Sequence, residues 1–261
     1  MIDTHCHLYL RQFNNDRDDV ILGAIGDGIQ CILVPGIDVV TSKKSIKLSS
    51  KYPENIFSAV GIHPNYSADL NPNLIQEFLK SQRSKIFAIG EIGLDFYRDF
   101  SPRDTQIEVF NRMLEIAKEF NLPICIHNRN ADHEILSILD KWYYESVADT
   151  ISTPKGVFHA FNGSEKISEW GIAHDFTFGI GGSVTYKKSD QLRNMVKRIG
   201  LNHLVLETDA PYLSPIPFRG KRNTPQYLTL IVESLAEVFD CTVQKVIKKT
   251  DENANRLFNF K

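Results

Sequence analysis

The chain has 261 residues, of which 42% are hydrophobic and 24% are charged. This composition is typical of a globular protein that buries a sizeable core, and it excludes disordered, collagen-like and disulfide-stabilised classes. Lys and Arg number 30 and Asp and Glu number 32, so the formal net charge of −2 argues against a broad nucleic-acid-binding surface and leaves room only for a local basic site.

Short β-rich runs alternate with longer helical segments eight times along the chain. The short runs are nearly continuous in apolar residues, as expected for parallel strands that are covered on both faces. The eight predicted strands cover Ile2–His7, Cys31–Gly36, Ile56–Ile62, Ile86–Glu91, Pro123–His127, Val157–His159, Phe176–Ile180 and His203–Thr208.

The segments between the strands carry helical periodicity. The clearest apolar stripe lies between strands four and five and consists of Val109, Phe110, Met113, Leu114, Ala117 and Phe120. No low-complexity linker divides the chain, so we predict a single domain, residues 1–261, with the fold of an α/β (β/α)8 TIM barrel. An open doubly wound sheet is the alternative, but the glycine cluster at Gly179–Gly182 lacks the G-x-G-x-x-G spacing of a dinucleotide site.

The first predicted strand ends in His5-Cys6-His7. Because side chains alternate along a strand, His5 and His7 point to one face and Cys6 to the other. Two imidazoles about 7 Å apart along one strand can converge on a single metal ion. An isolated H-x-H is a weak signal, and a polar strand end is the ordinary interpretation.

Further candidate ligands fall at the ends of other predicted strands. Glu91 ends strand four, His127 strand five and His159 strand six, and Asp209 follows strand eight. They recur at multiples of about 30 residues, the length of one β–α unit, so all would meet at the carboxyl-end rim of a barrel. Six nitrogen and oxygen ligands without a thiolate favour two divalent ions that share a bridging carboxylate. Mg²⁺, Mn²⁺ and Zn²⁺ are candidates.

With these residues in view, the chain resembles the TatD-type metal-dependent deoxyribonucleases of the amidohydrolase-like barrels. The resemblance runs from Ile2 to Phe258, and E-T-D-A-P-Y-L with I-G-E-I-G-L-D is its most specific pair of motifs. The motifs are IDTHCHL (Ile2–Leu8), VGIHP (Val60–Pro64), IGEIGLDFYR (Ile89–Arg98), LPICIHNRNA (Leu122–Ala131), HAFNG (His159–Gly163), ETDAPYL (Glu207–Leu213) and RGKRNTP (Arg219–Pro225).

The resemblance implies a hydrolase that uses two divalent ions, acts on DNA and often works as a 3′-to-5′ exonuclease. Carried over by motif, His5, His7 and Asp209 would hold one ion, His127 and His159 the second, and Glu91 would bridge them. Asp209 would also accept a proton from the attacking water, so Asp209 and Glu91 are the predicted catalytic pair.

Five residues are predicted to bind the substrate. They are His63, Arg129, Arg219, Lys221 and Arg222. The last three follow strand eight, where barrel loops often receive phosphate. Aromatic residues near strand ends are candidates for stacking on an unpaired base. These are Phe96, Tyr97, Phe161 and Tyr212.

The predicted function is therefore hydrolysis of DNA phosphodiester bonds, with single strands or strand ends as substrate. The alternatives are a D-aminoacyl-tRNA deacylase, or another ester or amide hydrolase, with the same site, and a non-catalytic binding protein. We expect a monomer without membrane association. Scattered cysteines and the absence of a secretory leader predict a cytoplasmic protein, or a nuclear one in a eukaryote.

Overall fold

A computed structural model describes residues 1–69, 71–98, 100–148 and 155–260. The strands are β1 (Ile2–Asp3), β2 (Cys31–Pro35), β3 (Ile56–Val60), β4 (Ile86–Asp95), β5 (Ile124–Arg129), β6 (Gly156–Phe158), β7 (Thr177–Ile180) and β8 (Leu204–Leu206). The α-helices are α1 (Arg17–Gly26), α2 (Val39–Lys51), α3 (Asn73–Gln82), α4 (Arg103–Phe120), α5 (Asp132–Ala148), α6 (Glu165–Ala173), α7 (Asp190–Ile199), α8 (Leu228–Phe239) and α9 (Val243–Phe258).

The strands form one sheet whose hydrogen-bonded order follows the chain from β1 to β8. The first and last strands are themselves hydrogen bonded, since the Thr4 N–H donates to the Leu206 carbonyl at 2.9 Å. This is the strand order of a (β/α)8 barrel, so the predicted fold class is confirmed. A doubly wound sheet is wrong for this chain, because its strand order would reverse at a switch point.

The ends of β1 and β4 differ most from the prediction. Regular pairing of β1 stops at Asp3, and beyond it Cys6 forms an isolated bridge with Ala210. Strand β4 continues past Glu91 to Asp95, because its last residues pair with β5 as far as Asp95 opposite Arg129. As a result, β4 extends four residues beyond its predicted end.

The chain divides into two compact units. The first unit comprises Met1–Val34, Tyr52–Ile56 and Ala160–Lys261. It carries β1, β7, β8 and most of β2. The second unit comprises Pro35–Lys51 and Phe57–His159, and it carries β4, β5, β6 and most of β3.

Helix α8 supplies a buried stripe to the core of the first unit. Leu228, Ile231, Val232 and Leu235 are all fully buried at three- and four-residue spacing. Burial of each such side chain contributes about 1.5–3 kcal/mol. Helix α9 is attached to β8 by Asn253, whose amide donates to the carbonyls of Leu201 and Leu204 at 2.7 and 2.8 Å.

Helix α4 supplies the corresponding stripe in the second unit. Phe110, Met113 and Leu114 are buried, as the helical periodicity predicts. Close packing of the strands around Glu91 depends on Gly90, because a Cβ there would lie 2.5 Å from the Cβ of Cys125. The tight approach of β4 to β5 fixes the backbone from which the Glu91 side chain projects.

Candidate metal centre

Three candidate ligands of the first unit converge where β1 and β8 end. The Nε2 atoms of His5 and His7 are 3.1 Å apart. Asp209 Oδ1 lies 3.4 Å from Nε2 of His7 and 4.0 Å from Nε2 of His5. All three residues are buried, and we call them the first cluster. The thiol of Cys6, between the two histidines, faces the Ala210 carbonyl at 3.9 Å instead.

Tyr9 orients the His7 ring. Its hydroxyl lies 2.8 Å from Nδ1 of His7, and the tyrosine is itself buried. A tyrosine hydroxyl can accept the Nδ1 proton, which leaves the Nε2 lone pair directed into the cluster, as metal-binding histidines require. Tyr9 is not among the residues predicted from the sequence. The available signal was its position two residues after His7.

The backbone at Asp209 holds its carboxylate beside His5. Asp209 has a φ of 54°, in the left-handed region that aspartate enters more readily than most side chains. Its N–H donates to the His5 carbonyl at 2.8 Å, and its own carbonyl accepts the Tyr212 N–H at 2.8 Å. A non-glycine residue in this conformation costs about 1–3 kcal/mol, a strain typical of functional sites.

Two deeper carboxylates support the first unit. Asp3 accepts the N–H and the hydroxyl of Thr208 at 2.9 and 2.6 Å, which joins the end of β1 to the residue before Asp209. Burial raises the pKa of Asp3 to about 7, although the hydrogen bonds from Thr208 oppose the shift. Glu207 accepts the Ala160 N–H at 2.6 Å. A Cβ on Gly179 would collide with the Glu207 carboxylate, so glycine is required there.

Glu91 lies at the centre of a second group of histidines, all within the second unit. Its Oε1 atom is 2.8 Å from Nδ1 of His127, 3.4 Å from Nε2 of His63 and 3.5 Å from Nε2 of His159. We call these four residues the second cluster. Three ring nitrogens around one carboxylate oxygen is the arrangement that a cation, or shared protons, would stabilise.

Asp95 holds His127 from the other side of the ring. Its Oδ2 atom lies 3.4 Å from Nε2 of His127, so each nitrogen of that ring faces a carboxylate. Burial would lower the pKa of His127, but the contacts with Asp95 and Glu91 outweigh it and raise the pKa. Burial would likewise raise the pKa of Asp95, but His127 and the N–H groups of Arg98 and Tyr97 hold it well below its usual range.

His63 belongs to the second cluster but differs from the other histidines in its hydrogen bonding. Its Nδ1 atom accepts the Asn65 N–H at 3.1 Å. A neutral ring that accepts at Nδ1 carries its proton on Nε2, and that nitrogen then donates to Glu91 instead of binding a metal. The donor atoms of His63, Glu91 and His127 lie within 4.8 Å of one another. Its tautomer nevertheless makes His63 a hydrogen-bond donor.

The two clusters fit the chemistry of divalent metal ligands. Imidazole nitrogens and carboxylate oxygens suit Zn²⁺ and Mn²⁺, and carboxylates suit Mg²⁺. In the first cluster the Nε2 atoms of His5 and His7 lie 3.1 Å apart, close enough for both to bind one ion. Burial raises the pKa of the Cys6 thiol well above its usual value, so this residue is not a ready thiolate ligand.

Among the predicted substrate-binding cations, Arg129 and Arg219 each lie over a tyrosine ring. The Arg129 guanidinium is 4.0 Å from the Tyr97 ring centre, and that of Arg219 is 4.5 Å from the Tyr186 ring centre. Lys221 is exposed, and its ammonium is 5.9 Å from the Phe218 ring centre. The charged groups of these three side chains can contact a phosphate.

Arg222 is used inside the first unit. Its guanidinium forms a bidentate pair with the Asp16 carboxylate at 2.8 and 2.7 Å and also donates to the Gln12 carbonyl at 2.7 Å. Because the Arg222 guanidinium already donates to these acceptors, the geometry favours a structural role for this residue over the predicted phosphate contact. This pairing depends on the tertiary structure, because Asp16 lies far from Arg222 in the chain.

The predicted stacking aromatics also divide by burial. Phe161 is buried, with its ring centre 4.8 Å from that of Phe178, so it is a core residue. Phe96 is half-buried, whereas Tyr97 and Tyr212 are exposed.

Among the helices of the described residues, none has the length and hydropathy to span a membrane.

Comparisons with known proteins give one consistent result. The family model "TatD related DNase" matches residues 2–259. A protein of Bacillus subtilis named "Uncharacterized metal-dependent hydrolase YabD" is 38% identical over 263 residues, covering 100% of this chain and 99% of that protein. The "3'-5' ssDNA/RNA exonuclease TatD" of Salmonella typhimurium is 34% identical over 264 residues, covering 99% and 98% of the two chains.

Solved structures agree with the sequence comparison. YJJV, a TatD homolog from Escherichia coli K12, superposes with a TM-score of 0.90 at 27% identity, covering 99% of this chain and 98% of that one. A TatD-family hydrolase from Entamoeba histolytica, at 22% identity, shares the fold with a TM-score of 0.86. The match of the family model over nearly the whole chain and the identity to full-length relatives are decisive: the chain belongs to the TatD-related DNase family and is a metal-dependent hydrolase.

Proposed function

We propose that this protein is a 3′-to-5′ exonuclease that hydrolyses single-stranded DNA with two divalent ions. The observation that carries the proposal is the placement of Glu91 Oε1 within 2.8–3.5 Å of three imidazole nitrogens, together with a separate His5–His7–Asp209 group. In this proposal the first cluster would hold one ion, His127 and His159 would hold the other, and Glu91 would supply the carboxylate that they share. The names of the TatD relatives support the nuclease activity and its polarity.

The bound ions would lower the pKa of a water molecule and stabilise the entering and leaving oxygens of the phosphodiester. The protein supplies the proton acceptor, and we assign that role to Asp209. Its carboxylate is held at the edge of the first cluster with a small exposed fraction, so it can reach a water molecule. His63, with its proton on Nε2, donates a hydrogen bond to the Glu91 carboxylate and holds it in place.

The charged side chains that follow the candidate ligands in the chain bind the substrate backbone in this proposal. Arg129, Arg219 and Lys221 carry the phosphate contacts, and Arg129 follows His127 by two residues on β5. Guanidinium groups bind phosphate oxygens through paired, charge-assisted hydrogen bonds. Because each donor cluster is completed by residues of one chain, we also propose a monomer, which light scattering would verify.

The direct test is cleavage of a 5′-labelled single-stranded oligonucleotide with added Mg²⁺ or Mn²⁺. We expect a ladder that shortens from the 3′ end, that stops with a chelator, and that a blocked 3′ terminus prevents. Asp209→Asn should lower kcat about 10²–10⁴-fold, the usual contribution of a positioned proton acceptor. The exposed Asp140 on α5 provides the matched control, and Asp140→Asn should cleave at the wild-type rate.

Two results would contradict the proposal. The first is the absence of chelator-sensitive cleavage with every divalent ion tested. The second is faster hydrolysis of a D-aminoacyl-tRNA ester than of DNA in a parallel assay. The second result would keep the metal centre and change the substrate.

A further inference from the structure

An exposed aromatic and cationic surface follows β4 and β5 in the second unit. Tyr97 has 62% of its surface exposed although the guanidinium of Arg129 covers one face of its ring at 4.0 Å. Phe100, three residues further on, is 67% exposed, and Arg98 lies 5.9 Å from its ring centre. Exposed aromatic rings beside cations offer a ligand both a stacking face and a positive charge. We call Tyr97 and Arg129 together the Tyr97–Arg129 site.

The backbone that carries Tyr97 is held rigidly. Asp95 Oδ1 accepts the N–H groups of Tyr97 and Arg98 at 3.1 and 2.9 Å. The Phe96 N–H donates to the Arg129 carbonyl at 2.9 Å, which joins the turn to the end of β5. The side chain of Gln106 on α4 also accepts the Asp95 N–H at 2.9 Å. The exposed ring is therefore preorganised, and little ordering entropy is lost when a ligand binds to it.

The Tyr97–Arg129 site lies next to the second cluster. Arg129 is two residues after His127 on β5, so the two side chains leave the same face of the strand about 7 Å apart. Tyr97 is two residues after Asp95, whose carboxylate contacts His127 at 3.4 Å. The exposed ring therefore lies beside residues that contact or follow His127.

We infer that the Tyr97–Arg129 site stacks an unpaired nucleobase of the substrate next to the phosphate that is hydrolysed. This inference rests on the proposed nuclease function and deepens it, because it makes recognition depend on the base as well as on the sugar-phosphate backbone. Every base has a π face, so stacking on Tyr97 is sequence-tolerant, while Arg129 orients the ring and presents charge to the backbone. Bases within a duplex are already stacked on their neighbours, so the site selects single strands.

The test compares two short labelled strands that differ only in their bases. One is a thymidine oligonucleotide, and the other carries abasic tetrahydrofuran units on the same phosphate backbone. Fluorescence anisotropy with chelator-treated protein should show a Kd lower by about tenfold or more for the strand with bases. Tyr97→Ala should bring the ratio of the two Kd values close to one, and Tyr97→Phe should retain most of it. Tyr144, which is 60% exposed on α5, is the matched control, and Tyr144→Ala should keep the wild-type ratio.

The outcomes separate this inference from the proposed function. Equal Kd values for the two strands with the wild-type protein would overturn the inference, and so would a ratio that Tyr97→Ala leaves unchanged. With Mg²⁺ or Mn²⁺ added, the same base dependence should appear in KM. If the wild-type protein binds in a Tyr97-dependent way but cleaves neither strand, the nuclease proposal fails and the stacking site stands.

Discussion

The two donor clusters are assembled in different ways. In the first cluster, His5 and His7 come from one short stretch of chain, and the carboxylate of Asp209 approaches them from the edge at 3.4 and 4.0 Å. In the second cluster, each ligand comes from a different part of the unit, and the carboxylate of Glu91 is at the centre, within 3.5 Å of three rings.

This difference suggests a division of labour between the two carboxylates. A carboxylate at the edge of a cluster can meet water and take up a proton, which suits Asp209. A carboxylate whose Oε1 is surrounded by three imidazole nitrogens is placed among other metal-binding groups, which suits Glu91 as a metal ligand. The residues that support the histidines also differ between the two clusters. The neutral hydroxyl of Tyr9 contacts His7, whereas the charged carboxylate of Asp95 contacts His127.

The largest expected effect comes from Glu91→Gln. The substitution keeps the shape of the side chain and removes the charge around which the second cluster is arranged. We expect elemental analysis to show loss of bound metal and kcat on single-stranded DNA to fall on the order of 10³-fold. Glu237→Gln, at an exposed position on α8, is the control. Wild-type metal content in Glu91→Gln would contradict the central role of this residue.

A smaller effect is expected for Asp95→Asn. Asparagine keeps an oxygen for the N–H groups of Tyr97 and Arg98 but removes the charge that faces His127 Nε2. Loss of such a supporting contact typically lowers metal affinity about 10–100-fold. Calorimetric titration of the metal-free protein with Mn²⁺ measures the affinity directly. Asp104→Asn, at an exposed site, is the control. If Asp95→Asn binds Mn²⁺ with the same affinity as this control and the wild-type protein, Asp95 supports only the turn.

Tyr9→Phe tests whether a neutral support matters less than a charged one. It removes only the hydroxyl that contacts His7 Nδ1, so we expect the loss of Mn²⁺ affinity to be near the lower end of the same range, about tenfold. The free energy of unfolding of the metal-free protein should fall by about 1 kcal/mol, the net value of one hydrogen bond. An affinity loss in Tyr9→Phe as large as that in Asp95→Asn would show that the charge of the support is unimportant.

The smallest effect is expected for the Asp16–Arg222 pair, which lies outside both clusters. The hydrogen bond from Arg222 lowers the pKa of Asp16. A carboxyl group with a lowered pKa stabilises the fold above its ordinary pKa, and this contribution is lost as the pH falls below about 4. The pair is partly exposed, so we expect Asp16→Asn to cost about 0–1 kcal/mol at pH 7 and less at pH 3.

Thermal unfolding of Asp16→Asn, Arg222→Gln and the double variant measures this coupling. Neither substitution should change KM for DNA if Arg222 is structural. A several-fold rise in KM for Arg222→Gln that Asp16→Asn does not share would restore Arg222 as a phosphate-binding residue.

The fold class and the identity of the candidate ligands follow from local sequence pattern. Apolar runs separated by helical stripes predicted the eight strands, because strand and helix periodicities are local properties. The same local pattern placed Glu91, His127 and His159 at predicted strand ends. Because parallel strands end at one rim of a barrel, these residues were expected to lie close together.

The partner that each side chain meets could be read only from the folded chain. Asp16 engages Arg222 across most of the length of the chain, Asn65 sets the tautomer of His63, and Tyr9 turns toward His7. Phe161 is buried and Tyr97 is exposed, although both are aromatic residues near strand ends. Periodicity specifies the face on which a side chain lies, whereas its partner depends on strand register, backbone conformation and the packing of residues that are distant in sequence.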